Sequence, residues 1–254
     1  MAPVLDELRE RCSGLAFAPL PELTGPEGTP GGDGWLTAVG MRERVAELLA
    51  AQGDDVPPGP RAVHTLRELL RELIFCTAAS VYLLDAAPTI SGERYWFHHG
   101  TEVDRRRLVV AEFSTSAPEI AAGFTATVTP LVTEVGARSR VGSRTLWSYV
   151  VDMIHFGMLN LARQLGHDRA AAWSRAAELA EELYAAGIPR RSRPVLARYG
   201  DSDDESWGVR GACCLDFTDG SHGMCLTCPL LGDEERAGMW AVSNLRLPLD
   251  IRQG

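Results

Sequence analysis

The chain has 254 residues, with 25 basic and 34 acidic side chains and therefore a formal charge of −9. A hydrophobic share of 45% with 23% charged residues is typical of a folded globular chain and excludes global disorder. The acidic balance lacks the basic footprint of a protein that binds phosphates, so no nucleic acid is expected as a partner.

The N-terminal region predicts a cytoplasmic protein. Asp6, Glu7 and Arg9 place charges where a secretory signal needs an apolar run. No later stretch approaches the roughly 18 consecutive apolar residues that predict a transmembrane segment. In a reducing compartment, clustered cysteines indicate a metal site rather than a disulfide framework.

The first half of the chain predicts a loop, then helices, then a small β component. Glycines and prolines over 21–34 predict a linker or surface loop. Apolar residues at helical spacing predict one helix over 35–52, and a core helix or a helical pair over 58–84. Aromatic and β-branched runs within 90–114 predict strands.

The second half predicts three helices with defined ends. Ser116 and Glu119 form the signature of a capping box and open a helix that runs to Val135. Large apolar side chains predict a deeply buried helix over 144–165, ending at a glycine. A further helix is expected over 168–186, packed antiparallel to its predecessor.

The composition changes at the acidic run over 201–205, which marks a boundary. We therefore predict an α+β fold in two parts. Residues 1–200 form a mainly helical body, expected to bind the substrate, with a small antiparallel β component. Residues 201–254 form a short C-terminal segment that binds a metal cluster.

Four of the six cysteines lie close together in the C-terminal segment, at Cys213, Cys214, Cys225 and Cys228. Four thiolates can hold an iron–sulfur cluster or a structural zinc ion. Structural zinc motifs usually supply two separated pairs, whereas the first two cysteines here are adjacent and their side chains diverge. The spacing therefore favours an iron–sulfur cluster and leaves zinc as the alternative.

The cysteine pattern resembles a known signature. The stretch Arg210-Gly211-Ala212-Cys213-Cys214, ten residues, Cys225-Leu226-Thr227-Cys228-Pro229-Leu230 is similar to the Cys-Cys-x10-Cys-x2-Cys signature of the FhuF-type ferric-siderophore reductases. The resemblance outside this stretch is loose and consists of a helical body with an apolar helix around Trp147. Family members often end soon after the last cysteine, whereas this chain continues for 26 residues, a departure that bears on the packing around the cluster.

The resemblance implies an oxidoreductase that carries a [2Fe-2S] cluster. Cys213, Cys214, Cys225 and Cys228 would bind the cluster and would be catalytic through it. The protein would pass one electron to a ferric siderophore in the cytoplasm and release iron as Fe(II). An external electron donor, a ferredoxin or a reductase, would reduce the cluster again.

Several further residues are candidates near the cluster or the substrate. Arg210 and His222 would lie close to the sulfurs, where positive groups raise a cluster's reduction potential. Residues 218–222 also resemble the Cys-Asp-Gly-Ser-His core of another iron–sulfur family, but a threonine replaces the cysteine. Candidate substrate residues are Arg144, Trp147 and Trp96.

Two other functions remain open at the level of the sequence. The first is a zinc-stabilised binding or interaction protein without a redox role. The second is an iron–sulfur electron carrier or sensor that does not meet a siderophore. Analysis of the bound metal and of inorganic sulfide distinguishes a zinc-stabilised protein from a reductase. Reoxidation of the reduced protein by ferric chelates distinguishes a reductase from an electron carrier or sensor.

Overall fold

A computed structural model describes residues 2–99, 103–190, 193–219 and 223–246. Within these ranges the protein has an α+β fold with a mainly helical body, as predicted. The helices are α1 (Ala2–Ser13), α2 (Ala38–Met41), α3 (Val45–Ala51), α4 (Pro58–Leu84), α5 (Ala117–Ser139), α6 (Ser143–Leu165), α7 (Arg169–Ala185) and α8 (Asp233–Ala241). The strands are β1 (Glu22–Thr24), β2 (Trp35–Thr37), β3 (Ala87–Pro88), β4 (Tyr95–His99), β5 (Val103–Val109), β6 (Phe113–Ser114), β7 (Val195–Arg198) and β8 (Ser206–Val209).

Helix α4 is the centre of the main core. It is a single helix of 27 residues, which resolves the choice between one helix and a pair. Its side chains are buried on most faces between Leu69 and Val81, because α1, α3, α5 and α6 all pack against it. Burying one leucine side chain stabilises a fold by about 1.5–3 kcal/mol, so this helix contributes a large share of the folding energy.

Helix α5 is apolar enough, and long enough, to pass a length-and-composition test for a membrane span. Its most apolar window is 44% buried inside the protein. Ile120, Phe124 and Val128 face the main core, where α4 and α7 cover them. One face of α5 is therefore part of the main core.

The helix boundaries largely confirm the predictions. Helices α6 and α7 match the expected spans to within one residue at each end and pack against each other. Gly166 ends α6 in a left-handed conformation, with φ of 67°, which glycine adopts without the steric cost of a side chain. Helix α5 runs to Ser139, four residues beyond the predicted Val135.

The β structure is small and partly mixed. The main sheet has the order β1-β5-β4-β2, in which β4 pairs antiparallel with both β5 and β2. Strand β1 pairs parallel with β5, and β7 and β8 form an antiparallel pair. Residue 200, the predicted boundary between the helical body and the C-terminal segment, lies in the connection between β7 and β8. This boundary stays a prediction.

Two local predictions were wrong because they fall on very short strands. The stretch predicted as a loop contains β1, and the stretch predicted as the start of a helix contains β2. Three-residue strands carry too little alternation to be recognised locally, and they exist here because a neighbouring strand supplies hydrogen bonds. The helical part begins only after Thr37, whose side chain accepts from the N–H of Gly40, and it consists of α2 and α3 joined by a 3-10 turn rather than of one helix.

Candidate metal centre

The cysteine segment, residues 210–231, follows β8 and precedes α8. Strand β8 is buried against α6 and α7, so the segment begins at the helical body. Its two arms are joined where the N–H of Arg210 donates to the carbonyl of Thr227 at 2.9 Å. The N–H of Cys228 donates to the carbonyl of Cys225 at 2.8 Å and closes a tight turn. These bonds bring the early and late cysteines to the same place.

The four predicted cysteines all line one cavity of about 140 Å³. They lie in two neighbouring pairs, with Cys213 beside Cys228 and Cys214 beside Cys225. All four are free thiols. The fold therefore assembles residues that lie up to fifteen positions apart, 228 − 213 = 15, into one group of sulfur donors.

The sulfur atoms also accept hydrogen bonds from their own loop. The N–H of Leu215 donates to the Sγ atom of Cys213 at 3.3 Å. The hydroxyl of Thr227 lies 3.3 Å from the Sγ atom of Cys225. Donors at this position stabilise negative charge on sulfur, whether in a thiolate or in a reduced metal–sulfur group.

Cys225 is the thiol most readily ionised. The hydrogen bond from Cys214 lowers the pKa of Cys225 to about 5, against the effect of burial, and Thr227 and Arg210 act in the same direction. The same hydrogen bond, followed by burial, raises the pKa of Cys214. Since the thiolate is the metal-ligating form of cysteine, Cys225 offers a ligand near neutral pH.

Asp152 is a buried carboxylate that holds the segment against α6, and the sequence analysis did not single it out. Its two carboxylate oxygens accept from the N–H groups of Gly211 and Ala212 at 2.8 and 2.9 Å. The side chain is 1% exposed, and burial raises its pKa to about 7. It thereby fixes the backbone immediately before Cys213. The sequence signal that could have identified Asp152 is its position as an acidic residue within the apolar stretch of α6.

Arg210 lies near the thiols of Cys225 and Cys214 and against aromatic side chains of α6. Its guanidinium stands 5.6 Å from the ring centre of Tyr149 and 5.8 Å from that of Phe156. Burial alone would lower the pKa of Arg210, but Tyr149 and the nearby thiols Cys225 and Cys214 together raise it. Its positive charge is thus retained beside the sulfurs.

His64 connects the far side of the cavity to α4. Its Nε2 atom lies 2.7 Å from Oδ1 of Asp216. Asp216 lines the cysteine cavity, and its backbone N–H donates to the sulfur of Cys214. This contact could not be predicted from the sequence, because the two residues lie 152 positions apart.

A second cavity of about 290 Å³, the aromatic groove, adjoins the centre through Arg210. It lies between α4 and α6, with Arg67 and Arg71 on the α4 side. Its aromatic walls are Phe17, Phe75, Tyr149, Phe156 and Trp207. The groove therefore combines apolar walls with three guanidinium groups, of which that of Arg210 lies beside the thiols.

The candidate substrate residues lie elsewhere. Trp147 is buried in the main core, Arg144 is exposed near the start of α6, and Trp96 lies half-buried in β4. Among the described residues that line the cysteine cavity and the aromatic groove, these three do not occur. His222 lies outside the described residues.

The donor set fits a two-iron cluster in kind and number, because [2Fe-2S] clusters take four cysteine thiolates. The thiols meet in two pairs, and within the described parts of the chain no set of three or more His, Cys, Asp or Glu side chains stands ready to hold a metal ion. Comparisons with protein-family models and with curated proteins find no match for this chain.

Proposed function

We propose that this protein is a cytoplasmic reductase of ferric siderophores, similar to the FhuF-type enzymes, with a [2Fe-2S] cluster held by Cys213, Cys214, Cys225 and Cys228. One observation carries the proposal: four thiols line one cavity, where they lie in two neighbouring pairs. Two donors for each metal is the arrangement that two irons require, whereas one zinc ion draws all four donors to one point.

The chemistry depends on the weaker hold that oxygen chelators have on ferrous iron. Ferric iron is a hard cation that anionic oxygen donors hold tightly, and lowering its charge weakens each ion–oxygen contact. The cluster, when bound, supplies electrons singly. The iron, once reduced, leaves as Fe(II), and the freed chelator retains its oxygen donors.

The protein's own residues hold the sulfurs and tune their charge. Asp152 fixes the backbone before the first cysteine pair through two hydrogen bonds. The N–H of Leu215 and the hydroxyl of Thr227 direct positive dipoles at sulfur, which favours the more negative state of the centre. The charge of Arg210 acts in the same direction.

The electron reaches the centre from outside the chain in this proposal, from a ferredoxin or a reductase. The cysteine cavity suits this role because it is close to the surface. Met224 on its wall is 39% exposed, and three of the four cysteines are only partly buried. A donor that docks here comes near the sulfurs without any opening of the helical body.

The decisive experiment is anaerobic purification followed by iron, zinc and acid-labile sulfide analysis, with an EPR spectrum of the reduced protein. We expect two irons and two sulfides per chain, as [2Fe-2S] requires. The Cys225→Ser variant should lose most of this iron. Cys12→Ala, which removes a buried thiol from the helical body, is the matched control and should keep it.

Mixing the reduced protein with ferric siderophores completes the test. Rapid reoxidation with release of Fe(II) supports the reductase. Stoichiometric zinc without sulfide would replace the proposal with a zinc-stabilised interaction protein. An intact cluster that no ferric chelate reoxidises would leave an electron carrier or sensor.

A further inference from the structure

One wall of the aromatic groove is the ring of Phe17, which is held in a fixed position by hydrogen bonds. Phe17 is an exposed aromatic residue outside any helix or strand, yet its backbone is fixed. The buried side chain of Gln164 accepts from its N–H at 3.1 Å and donates to its carbonyl at 3.0 Å. The ring then meets Phe75 edge to face at 6.4 Å between centres. An exposed phenylalanine held in place by a buried amide offers a preformed surface for a ligand.

The size of the groove suits aromatic rings. An apolar cavity of about 150 Å³ can hold one benzene molecule, and the groove has about 290 Å³. It therefore has room for one or two aryl groups, with the rest of a larger ligand outside. Phe17 and Phe75 stand on one side, and Phe156 and Trp207, whose ring centres lie 6.1 Å apart, stand on another.

The charge of the groove is opposite to that of the whole protein. Arg67 and Arg71 are one helical turn apart on α4 and are both exposed. Arg71 pairs with Glu72 at 3.8 Å, but Glu72 accepts a closer hydrogen bond from Arg106 at 2.9 Å. In a chain of net charge −9, this concentration of positive charge selects for an anion.

A second arginine-lined cavity provides an internal comparison. It has about 520 Å³ and is lined by Arg61, Arg138 and Arg140 together with aliphatic, proline, glycine and serine residues. No aromatic side chain stands among the described residues of its lining. Arginine alone therefore does not set the aromatic groove apart; the pairing of guanidinium groups with aromatic walls does.

We infer that the aromatic groove binds an anionic aryl group of the ferric chelate, of the catecholate or aryl carboxylate class. This inference rests on the proposed function. Arg67, Arg71 and Arg210 would bind the anionic oxygens, and the rings of Phe17 and Phe156 would stack on the aryl group. Arg210 also lies beside Cys214 and Cys225, so a chelate bound here is adjacent to the thiols.

Binding can be measured without electron transfer by using gallium(III), which has the charge of ferric iron and is not reduced under these conditions. The probes are a gallium complex of a hexadentate tris-catecholate and one of a hexadentate aliphatic trihydroxamate, titrated by calorimetry into the anaerobically purified full chain. We expect the anionic catecholate complex to bind at least about tenfold more tightly than the neutral hydroxamate complex.

Point variants locate the site. Arg67→Gln and Arg71→Gln should each weaken catecholate binding by about tenfold. Phe17→Leu should weaken it by about fivefold through lost ring contact. Arg138→Gln, in the cavity without aromatic walls, is the matched control and should change nothing. Equal affinity for the two complexes, or an equal loss in Arg138→Gln, would overturn the inference.

The two proposals fail separately. A chain with two irons and two sulfides that reduces chelates but shows no catecholate preference keeps its function and loses this site. A chain without sulfide that still binds the gallium catecholate through Arg67 keeps the site and loses the reductase function.

Discussion

The helical body and the cysteine segment are held together by different forces. In the body, α4 to α7 bury leucine, valine and phenylalanine side chains against each other. Beside the cysteine segment lies a much smaller apolar cluster, formed by Leu159 of α6, Trp207 of β8 and Trp240 of α8. The cysteine segment is fixed instead by buried charged side chains that bind backbone groups. The body is therefore stabilised mainly by apolar area, and the segment by a few polar contacts, each of which matters more.

Two buried arginines show how the C-terminal region is held. Arg169, at the start of α7, is 1% exposed and donates to the carbonyls of Asp204, Ser206 and Leu245 at 2.9 Å. Arg236, on α8, donates to the carbonyls of Leu226, Cys228 and Leu231 at 2.9, 2.8 and 2.6 Å. The rigid guanidinium fork can satisfy several carbonyls at once.

The largest expected effect is that of Arg169→Met. Methionine fills part of the space but donates nothing, so several buried carbonyls lose their partner. We expect the free energy of unfolding to fall by about 4 kcal/mol. Chemical denaturation measures this loss, and hydrogen exchange should show it concentrated in residues 199–246.

Arg175→Met is the matched control on the same helix. Arg175 is partly exposed and pairs with Asp85 and Glu178 at the surface. Its loss should change the free energy of unfolding by less than about 1 kcal/mol. Comparable losses in the two variants would show that the polar anchors contribute no more than ordinary surface ion pairs.

Leu70→Ala tests the other half of the comparison. Leu70 is fully buried on α4, and the cavity left by its truncation should cost about 3 kcal/mol. Metal bound per folded molecule should stay unchanged, because the segment depends on different contacts. Denaturation and metal analysis on the same preparation check both points. Leu230→Ala, at an exposed site, is the control for side-chain loss alone.

Asp152→Asn probes the contact that joins the two regions. The pKa of Asp152 is raised to about 7 by burial, above the unfolded value of about 3.9. Between these values the folded state binds more protons than the unfolded state, so this group's contribution to stability falls as the pH rises. Asparagine does not titrate in this range.

The stability advantage of the natural chain over Asp152→Asn should therefore shrink from pH 4 to pH 7, by about 3 kcal/mol. Urea denaturation at several pH values measures it. His155 is close to Asp152 on α6, and burial lowers its pKa, but it is present in both proteins and cancels in the difference. A constant difference across this range would mean that Asp152 does not change its protonation on folding.

The two regions also differ in how far the sequence predicts them. Helices α4 to α7 follow from apolar periodicity and from stop signals such as Gly166, because these features are local. The cysteine spacing likewise predicted the residues that the fold assembles around one cavity. The sequence therefore predicts the helical body well and picks out cysteines that share one cavity, while their role as metal ligands stays a prediction.

The anchors of the segment could not be predicted in the same way. Arg169 and Asp203 lie 34 positions apart, and His64 and Asp216 lie 152 apart. An arginine in the sequence does not show which carbonyls it will bind, because that depends on how two distant segments meet. The aromatic groove was missed for this reason: Phe17, Arg67 and Arg210 come from three separate parts of the chain.

The smallest expected effect is at a feature that is wholly local, the start of α5. The Oγ atom of Ser116 accepts from the N–H of Glu119 at 3.4 Å, as the capping signature predicts. The carboxylate of Glu119 does not return to the backbone of Ser116; it accepts from the hydroxyl of Ser114 at 2.7 Å. That hydroxyl oxygen in turn accepts from the N–H of Ser116 at 3.0 Å. In a capping box the glutamate carboxylate accepts directly from the N–H of the N-cap residue. Here the hydroxyl of Ser114 lies between these two groups and connects them.

Ser116→Ala removes the cap, and Ser114→Ala removes the connecting hydroxyl. We expect each to lower the free energy of unfolding by about 1 kcal/mol. The double variant should lose less than the sum, because Ser114, Ser116 and Glu119 belong to one hydrogen-bonded unit. Thermal and urea denaturation of the three variants give this coupling. Additive losses would show that the two serines act independently, and hydrogen exchange in the cysteine segment should be unchanged in all three.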